Sequence, residues 1–161
     1  MLCLGKEITH PNFINVSNYI HPITIEAANA VAFTLRSDDF REVTEGHGLD
    51  PITFLPFVAQ EGSAVYFTVP DGKTAGLAGV GDGGEIWMLC TPEIARYPIT
   101  FAREAKRYVD SREDPLLWNI VYCRNTVHFK LLKFLGFKFL RTVNHGPNNL
   151  PFIEFCRVHR R

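Results

Sequence analysis

The feature that most constrains the fold is the order of apolar runs between Ala64 and Tyr122. "AVYFTV" (64–69), "TAGLAGV" (74–80) and "EIWMLC" (85–90) are short and apolar, separated by "PDGK" and "GDGG". Runs of that length joined by Asp, Gly and Pro turns predict an antiparallel meander. The next stretch, "CTPEIARYPITFAREA" (90–105), contains no glycine and becomes helix-like from Pro98 to about Ser111. Proline suits a first helical position, where its missing N–H would have no intrahelical acceptor. Asp114-Pro115 stops that helix, and "LLWNIVY" (116–122) follows, nearly all apolar. Such strands are commonly covered on both faces and parallel to a neighbour. Strand, helix, strand therefore predicts a right-handed βαβ crossover.

The flanks add elements on either side. Residues 1–20 read as an irregular N-terminal segment, and Ile23 ends a short strand. A helix follows with Thr24 as N-cap, Glu26 in its first turn and an apolar stripe of Ala28, Val31, Ala32, Leu35 and Val43. Gly46 and Gly48 end it, and Asp50-Pro51 starts a shorter helix. Downstream, Asn125 caps a helix to Leu135, with Val127, Leu131 and Leu135 on one face and Gly136 just beyond its end. "FKFLRT" (137–142) is a strand, "VNHGPNN" a loop, and "PFIEFCRV" (151–158) the closing strand. The expected fold class is α+β (α/β). It is one domain over 161 residues, with a mixed sheet of antiparallel meander plus one parallel crossover and helices on both faces.

Charge removes one class of function. Seventeen basic residues balance seventeen acidic ones, so the positive excess that drives nonspecific nucleic-acid binding is missing. No apolar run is long enough to span a bilayer, and no signal-peptide core is visible. The cysteines (Cys3, Cys90, Cys123, Cys156) are widely spaced, which predicts free thiols in a reducing cytosol. The scattered histidines predict no metal site, and only His128 falls near the proposed ligand end. Gly79–Gly84 spells G-x-G-x-x-G, but a strand follows it instead of a helix, so it reads as a turn. Arg103, Lys106 and Arg107, with His128, Lys130 and Lys133, read as solvated helix faces or as a basic rim for an anion. In open sheets ligands sit beyond the carboxyl ends of parallel strands. Here that means Leu89–Thr91 and Cys123–Asn125.

"RNTVHFKLLKFLGFKFL", with the meander and crossover before it, resembles the GNAT superfamily of acyl-CoA-dependent N-acyltransferases. The carrying feature is Asn125, a helix, then Gly136-Phe137 opening a strand. The element order matches from about Ile23 to Val158. "FTLRSDDFREV", "IWMLCTPEI", "NTVHFKLLKFLGF" and "PFIEFCRV" also resemble the GNAT-like internal virion or morphogenesis proteins of tailed podoviruses.

The resemblance implies acetyl transfer from acetyl-CoA to an amine, in a gap between strand 85–90 and strand 116–122. It places the pantetheine arm on the main chain of Met88, Leu89, Cys90 and Thr91. Arg96, Ile99 and Thr100 fall in the diphosphate loop, Asn125 lies beside it, and Glu85 is the candidate base. Both loop glycines are lost, Pro98 lacks an N–H, and the proton-donating tyrosine position is Leu132, leaving Tyr122 or Tyr97 as substitutes. Losing two charge-assisted bonds costs about 3–6 kcal/mol, or roughly 10²- to 10⁴-fold in affinity. The alternative is a catalytically silent GNAT fold that binds a phage structural protein, in the host cytoplasm or the virion, with a homodimer plausible. The enzyme needs an open cleft lined by Trp87, Leu89 and Asn125; the silent fold needs an exposed apolar surface from "ITFLPFV" or "PFIEF".

Overall fold

The computed structural model describes residues 17–60 and 64–159. Strand β1 (Ile20–Pro22) leads into α1 (Ile25–Phe33), α2 (Ser37–Arg41), a π-helical turn (Glu42–Gly46) and α3 (Pro51–Gln60). The meander is β2 (Val65–Thr68), β3 (Thr74–Val80) and β4 (Ile86–Cys90), with a 3₁₀ turn at Asp82–Gly84. Then come α4 (Glu93–Arg96), α5 (Pro98–Asp110), β5 (Leu116–Tyr122), α6 (Thr126–Phe134), β6 (Lys138–His145) and β7 (Leu150–Val158).

The strands form two sheets where the sequence predicts one. The first has order β1-β2-β3-β4 and the second β5-β7-β6, and every named strand pair is antiparallel. The expected parallel crossover shrinks to a single bridge between Glu85 and Trp118. Beyond it the two strands part. The closing strand β7 lies between β5 and β6, not at an edge. The "VNH" assigned to a loop continues β6 to His145.

The long helix expected from Thr24 to Val43 is broken. Thr24 does cap α1, its hydroxyl accepting from Ala27 N at 3.1 Å. The helix stops at Thr34, and the Arg36 N–H leaves the helical ladder to donate to Cys90 O at 2.9 Å. That bond swings α2 toward the end of β4. Asp50 caps α3 as expected, accepting from Ile52 N at 3.1 Å.

Two cores sandwich the sheets. One gathers Phe101, Ala105 and Tyr108 of α5 with Phe67, Ile86, Cys90, Leu117, Val121 and Phe155. The other gathers Ala28, Val31 and Ala32 of α1 with Val43, Leu55, Leu77 and Leu89. Trp87 and Leu89 therefore face one layer of helices, and Ile86 and Met88 the other.

Candidate active site

Alternation along an antiparallel ladder decides which main-chain groups face the gap between β4 and β5. Cys90 N–H and C=O both point away from β3, donating to Asp39 and accepting from Arg36. Ile86 O also points that way, accepting from Asn119 Nδ2 at 2.7 Å. Met88 lies between them on the same edge. Its peptide groups therefore face the gap, and no described residue satisfies them across it. On the opposite edge Ile120 N–H is taken by the Asn119 side chain at 2.7 Å.

The gap is closed at both ends. At its start, Trp118 Nε1 donates to Gly83 O at 3.0 Å, beside the Glu85–Trp118 bridge. At its far end two buried carboxylates cross it. Asp39 accepts from Cys90 N at 2.8 Å and from Asn125 Nδ2 at 2.8 Å. Glu42 accepts from Tyr122 N at 2.8 Å and from the same Asn125 Nδ2 at 2.9 Å. Asp39 and Asn125 are fully buried. A strand edge taken from water needs partners for its N–H groups, and these carboxylates supply them. Arg36 Nη1 lies 3.3 Å from Asp39 Oδ1 and neutralises it. Burial raises the Glu42 carboxyl above the ordinary range.

Between these closures lies a cavity of about 410 Å³. Met88, Trp87, Leu89, Ile120, Leu132 and Phe155 line its inner part, and Leu49, Phe54 and Phe57 its outer part. Among the described residues its ionisable groups are Glu42, Glu85, His47 and His128, and no lysine or arginine lines it. Burial, then His145, pushes His47 down to about 4. His47 Nδ1 and His145 Nε2 lie 3.0 Å apart.

The residues predicted from sequence disperse. Glu85 is exposed at the cavity wall. Of Met88, Leu89, Cys90 and Thr91, only Met88 offers free main-chain groups to the gap. Leu89 pairs with Leu77, Cys90 is capped by Asp39 and Arg36, and Thr91 N donates to Ala75 O at 2.9 Å. Arg96 is drawn to Asp71 and Glu93, each at 3.5 Å. Ile99 is exposed at the first turn of α5, next to Thr100. Asn125 makes no capping bond and does not line the cavity; it ties Asp39 to Glu42. Tyr122 is buried against Phe152, and neither it nor Tyr97 reaches the cavity.

Other expectations change as well. "PFIEF" cannot form an exposed surface, because Phe152 and Phe155 are core residues. Val127, placed on the apolar stripe, is exposed. Lys106 pairs with Asp110 and Arg107 with Glu104, which makes a basic rim weaker than expected. Cys3 and most of the irregular N-terminal segment lie outside the described residues. Sequence reasoning missed Asp39, Glu42, Arg36 and His47.

A metal or cofactor has two places to be considered. Asp39, Cys90 and His128 bring one ligand atom each within 4.8 Å of one another. Arg36 already supplies positive charge there, and both Asp39 oxygens accept hydrogen bonds. His128 Nε2 lies 3.4 Å from Asp39 Oδ1 in a poor bonding direction and has no hydrogen-bond partner among the described residues. Asp39's charge is thus already neutralised by Arg36, while His128 Nε2 is left without a hydrogen bond among the described residues. For a pantetheine arm, Met88's peptide suits an amide, but the route past Cys90 is blocked by Asp39 and Glu42. For a diphosphate, the free amides of Ile99 and Thr100 are the donors left beside Pro98. The coenzyme fits at Met88 and poorly elsewhere.

No family model matches the chain, and no curated protein matches it in sequence. Solved structures do. An acetyltransferase of the GNAT family from Bacillus cereus aligns with TM-score 0.64 at 13% identity, covering 88% of this chain and 97% of its own. The ribosomal-protein-alanine N-acetyltransferase of Brucella melitensis gives 0.63 at 16%, covering 87% and 99%. The spermidine N-acetyltransferase of Vibrio cholerae, in complex with CoA and spermine, gives 0.61 at 11%, covering 86% and 94%. The chain has the fold of GNAT acetyltransferases. At these identities the likeness is one of fold.

Proposed function

We propose that this protein is an acyl-CoA-dependent N-acyltransferase with a weak hold on its coenzyme. The observation that carries the reading is the free Met88 peptide facing a cavity where β4 and β5 part. When bound, the coenzyme would supply an acyl thioester; acetyl-CoA is the donor we propose. Met88 would position the arm, with Ile99 and Thr100 amides near the diphosphate. Glu85 stands at the cavity wall, placed to take a proton from an entering ammonium, directly or through water. Leu132 cannot return a proton to a leaving thiolate, so turnover is expected to be slow. Asp39 and Glu42 must yield at the far end of the gap before the arm can lie along β4.

That closure favours a second reading. Asp39 and Glu42 satisfy the Cys90 and Tyr122 N–H groups that would otherwise await a ligand. On this reading the protein is a silent GNAT fold, allied to podoviral virion proteins, and docks a phage structural protein in the infected cell or virion. The exposed Phe57 and Ile52 of "ITFLPFV" support it.

Calorimetric titration with acetyl-CoA separates the two. The first reading expects a dissociation constant between about 0.1 and 1 mM, tightened about tenfold or more in Pro98→Gly by one regained donor. Arg96→Ala should change little, because Arg96 is already committed to Asp71 and Glu93. Absence of binding to millimolar in both wild type and Pro98→Gly would remove the enzyme reading and leave the second.

A further inference from the structure

We propose that the amine accepted by this cavity is a primary amine carried on an aromatic or bulky apolar body, not a polyamine and not an acid. The inference deepens the acyltransferase reading and rests on it for the ligand's role as acceptor. Three observations carry it.

The first is the outer wall. Leu49, Phe54 and Phe57 line the cavity yet are 40%, 39% and 62% exposed. Large apolar side chains left in water around the mouth of a concave site mark a surface that a ligand covers. Trp87 continues this wall inward from the loop and α3 side to β4. Aromatic walls reward buried apolar area and shape, and at so exposed a mouth a polyamine's ammonium groups gain only a weak cation–π attraction.

The second is charge. Glu85 and Glu42 line the cavity with His47 and His128, and among the described residues no lysine or arginine does. A carboxylate ligand would meet like charge without a counter-ion, whereas an ammonium meets an acidic side chain at the wall. Glu85 is exposed and available, while Glu42 is held by Tyr122 N and Asn125. One available acid suits one ammonium. A polyamine, with several cations, would need several.

The third is placement. Glu85, already extended, immediately precedes β4 and lies two residues before Trp87. Their side chains project to the same face, toward the α1–α3 layer. A body against Phe54 and Trp87 with its amine at Glu85 would lie against one face of β4, whereas the arm would sit at its Met88 main-chain edge. The acceptor thus has its own wall and does not compete with the arm.

The test is binding without coenzyme, so its failure is separate from failure of the acetyl-CoA titration. The probes are 2-phenylethylamine, spermidine and 3-phenylpropionate, followed by calorimetry and by Trp87 emission against a Trp87→Phe control. The expected order is 2-phenylethylamine tighter than each of the others by about tenfold or more. Phe54→Ser with Phe57→Ser should weaken it about tenfold. Both positions are exposed, so the variant should fold. Glu85→Gln should weaken 2-phenylethylamine about three- to fivefold and leave 3-phenylpropionate unchanged or improved. Spermidine binding tighter than 2-phenylethylamine, equal binding of the acid, or no binding by any probe would each overturn the proposal.

Discussion

At the scale of the residue, Gly84 holds the two sheets together. Its φ is +84°, and a Cβ there would lie 1.8 Å from Leu116 O. Only a bare α-carbon lets the start of β4 approach the start of β5 so closely. Gly83 has φ +73° but open space around it. Gly83→Ala should therefore cost about 1–2 kcal/mol for its left-handed backbone alone. Gly84→Ala should cost clearly more, because the Leu116 carbonyl must also move; denaturant titration of the pair checks this. His47 gives a second prediction. Above its ordinary value of 6.5 the ring is neutral in both folded and unfolded chains. As pH falls toward the folded value of about 4, only the unfolded chain gains the proton. Stability should drop across that window by at most about 3 kcal/mol, less for the solvent that still reaches the ring. His47→Phe should flatten the curve measured by denaturant at stepped pH. None of this was legible in the sequence. "RSDDFREV" falls within the helix expected from Thr24 to Val43, and the burial of Asp39 and Glu42 comes from strands fifty and eighty residues away.

At the scale of the element, most boundaries could be read because local chemistry sets them. Thr24 and Asp50 cap their helices, Pro98 opens α5, and Gly136 follows α6 with φ +85°. The failures share one cause, which is a distant main-chain partner. The break after α1 is fixed by Cys90 O, and the last strand lies inside its sheet because β5 and β6 both pair with it. Asp39 is the element-scale joint, linking α2 to β4, α6 and Arg36. Asp39→Ala would leave the Cys90 N–H buried without a partner and Arg36 with only Asp38 at 3.6 Å and Asn125 Oδ1 at 3.4 Å. It should cost about 3–5 kcal/mol, lowering the melting temperature by roughly 6–20 °C. Asp38→Ala is the control: its side chain is 31% exposed, and the loss should stay below about 1 kcal/mol.

At the scale of the whole molecule, the chain order of strands and helices was enough to anticipate the architecture. The splitting into two sheets was not legible in the apolar pattern, since a nearly apolar β5 looks the same whether its neighbour is a strand or a cavity; only the resemblance implied a gap between strands 85–90 and 116–122. The candidate site is a property of that split. Met88 matters because β5 bends away from it, and Phe54 and Phe57 matter because α3 stands over the opening. The acetyl-CoA titration probes the edge of β4 and the amine panel one of its faces, and together they test whether the molecule joins a donor to an acceptor or only preserves the space for both.

The division between sheets also follows the chain in time. Among the described residues, the elements through α5 build the first sheet and its helices, and those from Leu116 onward build the second. During synthesis the first half emerges while β4 still has an open edge. Asp39 and Arg36, which belong to that same half, already cover the Cys90 N–H and C=O. A nascent chain is thus shielded there against stray strand pairing before its own second sheet exists.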